Sequence, residues 1–222
     1  MLFWIKRVLL QKRRTASRGS GDEVHTMGAV AEKVSGEESM DANASHIVLE
    51  GVILKELKTH LDPRGFFREV VRVTDPFFEG GAFGQWSHSK MARDVVKAWH
   101  YHHVQTDWWY CPIGKIQTVL FDNRPESPTY QQKMIVEMGD SSECLGAREV
   151  CVKIPPGVLH GCKVLSAQAH LFYITSQIYN PHDEGRFPYN SPMIGHDWGD
   201  NALTVENDRR EFSPTAPRKL LK

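Results

Sequence analysis

The sequence lacks an apolar run of the roughly 20 residues that a helix needs to cross a membrane. It also lacks a surplus of either charge, because 27 lysines and arginines balance 27 aspartates and glutamates. A dedicated nucleic-acid-binding protein would carry a basic excess, so we expect no nucleic-acid partner. Long stretches with helical periodicity are missing as well, which favours a β fold.

Cysteine is scarce and irregularly spaced. Its four copies form neither a C-x-x-C pair nor a dense disulfide framework: Cys111, Cys144, Cys151 and Cys162. Free buried thiols are typical of proteins from reducing compartments. We therefore predict unpaired cysteines and a cytoplasmic protein.

The start of the chain differs in composition from the remainder. Residues 1–21 hold six basic side chains and no acidic one: Lys6, Arg7, Lys12, Arg13, Arg14 and Arg18. An arginine-rich, acid-poor segment with several hydroxyl residues resembles an organelle transit peptide, so residues 1–20 are a candidate targeting signal. The other interpretations are a disordered extension and a start codon assigned too far upstream.

A linker-like composition separates this basic segment from the rest. Gly, Ser, Glu and Ala dominate residues 19–45. We therefore predict a basic, flexible extension or targeting segment over residues 1–46. One folded domain is predicted over residues 47–222, a length that suits a single sizeable core.

Short strand-like runs follow from residue 47 onward. Gly, Pro, Asn or Asp stands in nearly every gap between them, as is typical of an all-β sandwich or barrel. A jelly roll is the expected architecture because it forms a cup. The predicted runs are residues 47–54, 66–73, 83–89, 95–102, 108–113, 115–122, 132–138, 149–154 and 170–175.

Residues 95–114 carry the densest group of candidate site residues. His100 and His102 are two apart, so on a strand they share one face. Asp107 follows five residues later, and His160 comes three residues after a Pro-Pro-Gly turn elsewhere in the chain. A single histidine is usually structural, but this combination predicts a site inside the cup.

Strand alternation also predicts which neighbours point away from the cup. Tyr101 lies between the two histidines and should face the opposite side of the sheet. For the same reason, at most one of Trp108 and Trp109 should line the cup.

Six motifs occur in the order of a known family. Over residues 51–212 the chain resembles the dTDP-4-dehydrorhamnose 3,5-epimerase family, a group of cupin-fold sugar epimerases. The matching segments are residues 62–69 (DPRGFFRE), 84–90 (GQWSHSK), 96–101 (VKAWHY), 122–129 (DNRPESPT), 154–161 (IPPGVLHG) and 172–185, which holds the FY and EG pairs and the YNP triplet.

The resemblance implies a cupin-type jelly roll (a double-stranded β-helix), a homodimer, no cofactor and a nucleotide-sugar substrate. The implied reaction inverts carbons next to the ketone of a nucleotide-linked 4-keto-6-deoxy sugar. His100 would be the general base, with Asp208 orienting it, since the reference pKa of histidine lies near working pH. Tyr173 would be the acid on the opposite face of the sugar, and His160 would line the same cup.

The resemblance also implies a set of substrate-binding residues. Arg64 would hold the diphosphate, because a guanidinium is a fork-shaped donor to anionic oxygens. Glu69 and Gln85 would contact the sugar or the base. Lys97, which replaces the family's arginine, and Tyr179 complete the expected set.

Two further departures from the family pattern concern the cup itself. His102 stands where the family has glutamine. Asp107 stands where the family has a lysine that stabilises the enolate oxygen, and a carboxylate would repel that oxygen. Either another cation substitutes for the lysine, the reaction differs, or the site does not epimerise.

These departures favour an alternative function. His100-x-His102, Asp107 and His160 resemble the ligand set of metal-binding cupins, although Asp94 replaces the leading glycine of their motif. Three imidazoles and a carboxylate suit a divalent transition metal and would leave positions open for a substrate. A bound cation would also replace the missing lysine of the epimerase, because it would polarise the 4-keto oxygen. A third hypothesis is a non-catalytic sugar-nucleotide binder on the same fold.

Overall fold

The computed structural model describes residues 48–78 and 83–204. The predictions for residues 1–46 and for Asp208 therefore lie outside the described residues. Within those two ranges the chain forms one turn of 3-10 helix, Pro76–Phe78, and no α-helix. No helix in this part of the protein is long and apolar enough to cross a membrane.

Twelve strands are present in the described ranges. In chain order they are β1 (Ile53–Glu56), β2 (Thr59–Asp62), β3 (Gly65–Arg68), β4 (Gln85–Ala92), β5 (Val96–His102), β6 (Asp107–Ile113), β7 (Lys115–Asp122), β8 (Lys133–Gly139), β9 (Val150–Ile154), β10 (Val158–Val164), β11 (Gln168–Thr175) and β12 (Glu184–Arg186).

Ten of these strands form two five-stranded sheets. The first has the order β1-β9-β6-β11-β4, and the second has the order β12-β5-β10-β7-β8. Strands β2 and β3 form a separate hairpin, and every strand pairing is antiparallel. This architecture confirms the predicted all-β jelly roll of the cupin type.

The main core lies between the inner faces of the two sheets. It is built by alternate residues of both sheets, for example Cys111 and Val152 from one and Leu120 and Val158 from the other, all buried. Burying one such aliphatic side chain stabilises the fold by roughly 1.5–3 kcal/mol. The core fills one end of the sandwich and leaves the other end open as a cup.

A second cluster covers the outer face of the β5–β10–β7 sheet. Phe187, Ile194 and Trp198 from the C-terminal segment pack on Tyr101 and Leu159, which leave that face of the sheet. Strand β10 is consequently buried along its whole length. This packing fixes β5 and β10, the two strands that carry the histidines. It also confirms that Tyr101 faces away from the cup.

The turn between β6 and β7 depends on a glycine. Gly114 has φ of 77°, a conformation that favours glycine. A Cβ at this position would collide with the backbone carbonyl oxygen of Gln168. Through this tight turn the chain passes from β6 in the first sheet directly to β7 in the second sheet.

Candidate active site

The open end of the sandwich forms a cavity of about 250 Å³ between the two sheets. Strands β5, β10 and β12 line one wall, and β4, β6 and β11 line the other. Most of the predicted site residues meet here: Gln85, Lys97, His100, His102, Asp107, His160, Tyr173 and Tyr179. Residues almost 100 positions apart in sequence thus share one cup.

Two predicted binding residues lie elsewhere on this chain. Arg64 is at the tip of the β2–β3 hairpin, where its side chain is 89% exposed and pairs with Asp62 at 2.7 Å. Glu69 follows the hairpin and pairs with Arg72 at 2.6 Å. The structure does not bring either residue into the cup of its own chain, so their substrate contacts stay a prediction.

The histidines of the cup come from neighbouring antiparallel strands. The register between β5 and β10 places His100 directly opposite His160. Their rings stack with centroids 6.3 Å apart, and the His102 ring lies 5.4 Å from that of His160. The two-residue spacing of His100 and His102 therefore does place both side chains on the inner face of the sheet.

His100 is held by a carboxylate that sequence reasoning did not assign. Its Nδ1 lies 2.8 Å from Oε1 of Glu184, and Arg186 contacts the same oxygen through Nη2 at 2.6 Å. Both partners sit on the three-residue strand β12, which pairs with β5. Since Nδ1–H donates to Glu184, Nε2 carries the lone pair that can accept a proton.

The environment of His100 favours its neutral form. Burial lowers the pKa of His100, and the hydrogen bond to Glu184 offsets this only in part. A neutral imidazole near neutral pH is what a general base requires. The only sequence signal for Glu184 was its place in the EG pair of the matched motif, because a three-residue strand has no recognisable pattern.

Asp107 lies at the floor of the cup, between two histidines. Its Oδ2 is 3.8 Å from Nε2 of His102 and 3.9 Å from Nε2 of His160. Its carboxylate accepts hydrogen bonds from Nε2 of Gln105 at 2.7 Å and from Nε1 of Trp109 at 3.1 Å. Burial, at 4% exposure, raises the pKa of Asp107 and lowers that of His160 well below its usual value.

The floor of the cup has the donor set of a metal site. Ligand atoms of His102, Asp107 and His160 all lie within 4.8 Å of one another. The fourth predicted ligand, His100, is not a member of this cluster. Its Nδ1 binds Glu184 instead. The structure therefore separates a three-residue candidate metal centre from a histidine that suits a proton-transfer role.

Tyr173 projects from β11 in the sheet opposite His100. It pairs with Trp109 of β6 and Ser87 of β4 and is half-buried in the cavity wall. A phenol and an imidazole on facing walls can reach opposite faces of a flat ring bound between them. The catalytic roles of the two residues stay a prediction.

The rim of the cup carries the remaining polar groups. Lys97 Nζ donates to the Ser89 hydroxyl at 2.7 Å. The Gln85 side-chain oxygen accepts a hydrogen bond from the backbone N–H of Tyr179 at 3.2 Å, which ties β4 to the segment after β11. These groups are placed to contact a polar ligand at the mouth of the cup.

The tryptophan pair behaves as strand alternation predicts. Trp109 faces the cup, where its ring meets His160 edge-on with centroids 5.1 Å apart. Trp108 faces the other way, donates to the carbonyl of Phe77 at 3.0 Å and packs against Phe78. One member of the pair therefore lines the cup and the other stabilises the outer layer.

The chain is similar in sequence to a polysaccharide biosynthesis protein and to a dTDP-sugar epimerase. Spore coat polysaccharide biosynthesis protein SpsL of Bacillus subtilis is 40% identical over 154 residues, which cover 68% of this chain and 97% of SpsL. The dTDP-4-dehydrorhamnose 3,5-epimerase of Pseudomonas aeruginosa is 31% identical over 176 residues, covering 75% of this chain and 93% of that enzyme.

A solved structure gives the same result. NovW, a 4-keto-6-deoxy sugar epimerase from the novobiocin biosynthetic gene cluster of Streptomyces spheroides, has a TM-score of 0.67 and 26% identity to this chain. The match covers 79% of this chain and 89% of NovW. The model of the family described as dTDP-4-dehydrorhamnose 3,5-epimerase matches residues 46–214, so the chain belongs to this family.

Proposed function

We propose that this chain is an isomerase that inverts one or more carbons beside the ketone of a dTDP-linked 4-keto-6-deoxy sugar. The observation that carries the proposal is the cup in which His100 and Tyr173 face each other from opposite sheets. The activity is assigned to the single predicted domain, residues 47–222. Family membership favours this function over a different metal-dependent cupin reaction and over a non-catalytic binder.

The reaction begins with the loss of a proton next to the ketone. The 4-keto group acidifies the adjacent C–H bonds because the resulting negative charge is delocalised onto its oxygen. His100 takes this proton at Nε2, and the Glu184 carboxylate stabilises the imidazolium that forms. Arg186 holds the carboxylate in place through the same oxygen that binds His100.

Inversion requires that a proton returns to the opposite face of the enolate. Tyr173 donates it from the facing sheet. The His100 imidazolium then releases its proton to solvent and the Tyr173 phenolate takes one up, so both groups return to their starting states. Lys97, Gln85 and Tyr179 bind polar groups of the substrate at the rim of the cup. We keep Arg64 and Glu69 as predicted nucleotide contacts of the assembled enzyme, and Asp208 as a predicted partner of His100.

Proton NMR of dTDP-4-keto-6-deoxyglucose in deuterated buffer tests the proposal. The wild-type protein should exchange protons at C3, C5 or both, and an epimerised product should accumulate. His100→Ala should slow the exchange by about 10²–10⁴-fold, the usual contribution of a general base. His196→Gln is a matched control, because His196 packs on Trp99 and Trp198 outside the cup. An unchanged exchange rate in His100→Ala would contradict the assignment of His100 as the general base.

We also propose that two copies of the chain form the active assembly. An apolar groove on the outer face of the first sheet supports this, since Phe83 and Trp86 are 61% and 67% exposed and flank Phe172 there. Light scattering should give twice the 25.3 kDa mass of one chain. Trp86→Glu should shift the protein toward the monomer, whereas a monomeric wild-type protein would contradict the proposal.

A cytoplasmic location is proposed on the state of the cysteines. All four are free, and Cys111, Cys151 and Cys162 are buried. Unpaired thiols are typical of a reducing compartment. A fluorescent fusion of the full chain tests this location, and it also tests the candidate targeting role of residues 1–20.

A further inference from the structure

We propose that His102, Asp107 and His160 bind one divalent first-row transition metal ion at the floor of the cup. The use of this ion in catalysis rests on the proposed function, but its binding does not. The ion would occupy the part of the site where the family resemblance places a lysine and this chain has Asp107. It would leave His100 free for proton transfer.

The geometry of the three residues suits such an ion. Metal–ligand bonds of roughly 2.0–2.2 Å place neighbouring ligand atoms about 3.0–3.5 Å apart. Asp107 Oδ2 is 3.8 Å from His102 Nε2 and 3.9 Å from His160 Nε2. These two separations exceed that range by about 0.5 Å, and all three ligand atoms lie within 4.8 Å of one another, so the side chains have to rotate toward a shared ion. Two imidazoles and a carboxylate are a donor set that suits iron, cobalt, nickel or zinc.

Outer partners orient two of the three ligands. His160 Nδ1 lies 3.1 Å from the carbonyl oxygen of Val158, to which it donates, so Nε2 presents its lone pair to the cup. Gln105 and Trp109 hold the two oxygens of the Asp107 carboxylate at 2.7 and 3.1 Å. Such second contacts are typical of metal-binding histidines and carboxylates.

The charges at the floor of the cup also favour a cation. Asp107 is 4% exposed, and its two hydrogen-bond donors, an amide and an indole, are uncharged. A buried carboxylate is costly unless a positive charge lies beside it. Two cationic residues of the cavity wall have other partners, since Lys97 donates to Ser89 and Arg186 binds Glu184. A bound metal ion would supply the missing positive charge.

One existing hydrogen bond must give way on binding. Gln105 Nε2 lies 3.1 Å from His102 Nε2, the same nitrogen that the metal would occupy. Loss of this neutral hydrogen bond costs about 1 kcal/mol on average, and the metal–nitrogen bond replaces it. Gln105 keeps its second hydrogen bond, to Asp107 Oδ1.

A cation at this position would restore the chemistry that Asp107 removes. A lysine opposite the 4-keto oxygen stabilises the enolate by its positive charge, whereas a bare carboxylate would repel it. A divalent ion bound to Asp107 reverses the sign of the local charge and acts as a Lewis acid toward a carbonyl oxygen. The substitution of lysine by aspartate then fits the same reaction.

Metal binding can be measured without any substrate. The full chain, purified without a histidine tag and stripped by chelator, is titrated with Zn²⁺ by calorimetry, and Co²⁺ loading is followed by visible absorption. The wild-type protein should bind one Zn²⁺ per cup. Asp107→Asn and His102→Gln should each weaken binding by more than the 10–100-fold that loss of an outer partner costs.

A matched control addresses adventitious binding. His88 and His170 form a second pair of imidazoles on the outer face of the first sheet, with Nε2 and Nδ1 2.9 Å apart. His88→Gln should leave the cup's Zn²⁺ affinity unchanged. The proposal is overturned if the wild-type protein binds no Zn²⁺, if Asp107→Asn and His102→Gln both bind it as tightly as the wild type, or if His88→Gln abolishes binding.

Folding and function are tested separately from binding. Circular dichroism and thermal melting identify any variant that fails to fold. Asp107→Asn keeps the size of the side chain and an oxygen that accepts from Gln105 or Trp109, so it should fold. Zn²⁺ binding without substrate exchange by the loaded enzyme would support the site and contradict the proposed function. Substrate exchange by an enzyme that binds no metal would support the proposed function and contradict the metal site.

Discussion

Replacement of Glu184 by glutamine tests how the cup activates His100. Glutamine has nearly the same shape, and its side-chain oxygen can still accept the hydrogen bond from Nδ1–H. The change removes the negative charge that lies 2.8 Å from this nitrogen, and with it the ion pair between Glu184 and Arg186. The variant therefore tests the electrostatic stabilisation of the imidazolium that forms when His100 takes a proton.

The size of the effect follows from the geometry. With the charge centres about 4 Å apart and an effective dielectric constant of about 20, the carboxylate stabilises the imidazolium by roughly 4 kcal/mol. If about half of the charge has developed in the transition state, the barrier rises by about 2 kcal/mol. We therefore expect kcat/KM to fall about 30-fold in Glu184→Gln.

The pH profile separates this mechanism from a loss of packing. Loss of the negative charge lowers the pKa of His100 further, so the acid limb of kcat/KM should move to lower pH. Glu137→Gln is the matched control, since it neutralises a carboxylate that pairs with Lys115 outside the cup. A Glu184→Gln enzyme with wild-type kcat/KM, or with a reduced rate and an unmoved acid limb, would show that the Glu184 charge does not activate His100.

Three other predictions concern titration and stability. Hydrogen bonds from Arg124, Ser127 and Thr129 outweigh burial and lower the pKa of Asp122 from 3.8 to about 2. The ionised Asp122 carboxylate therefore stabilises the fold above pH 3.8, and this stabilisation is lost toward pH 2. Asp122→Asn should lower the free energy of unfolding by about 2 kcal/mol at pH 7 and Tm by about 4–8 °C, which calorimetry can measure. Because burial lowers the pKa of His100, the acid limb of the wild-type profile of kcat/KM against pH should lie below pH 6.5. Measuring the rate of solvent exchange of the substrate at several pH values checks this. Burial raises the pKa of the Cys111, Cys151 and Cys162 thiols to about 12. A thiol reagent should therefore label Cys144 first and the other three cysteines only after unfolding, as mass spectrometry would reveal.

The strand bounds could be predicted from the sequence where both faces of a strand are buried or where buried and exposed side chains alternate. The predicted run 115–122 is the observed β7, and 95–102 differs from β5 by one residue. The N-terminal part of the described chain was harder to predict. The predicted strand 47–54 gives way to β1, Ile53–Glu56, and the run 66–73 shortens to β3, Gly65–Arg68. Apolar composition there reflects packing of loops, for example Val70 and Val71 against the cluster that contains Phe77, Phe78 and Trp108.

The site was predictable where residues share a strand and unpredictable where they meet by topology. The two-residue spacing of His100 and His102 was enough to place them on one face. The contact of His100 with Glu184 depends on β12 joining the edge of the second sheet, and no local pattern encodes this pairing. Asp107 receives its hydrogen bonds from Gln105 and Trp109, which are two residues away in sequence, but its approach to His102 and His160 depends on how the two sheets face each other.

In the proposed reaction, a base and an acid act from facing sheets of one cup. The most direct measurement compares solvent exchange with inversion in Tyr173→Phe and His100→Ala, using NMR of the sugar nucleotide in deuterated buffer. Tyr173→Phe should still exchange the proton that His100 removes, while inversion slows about 100-fold or more. His100→Ala should lose both. A Tyr173→Phe enzyme that inverts the sugar at the wild-type rate would contradict the account.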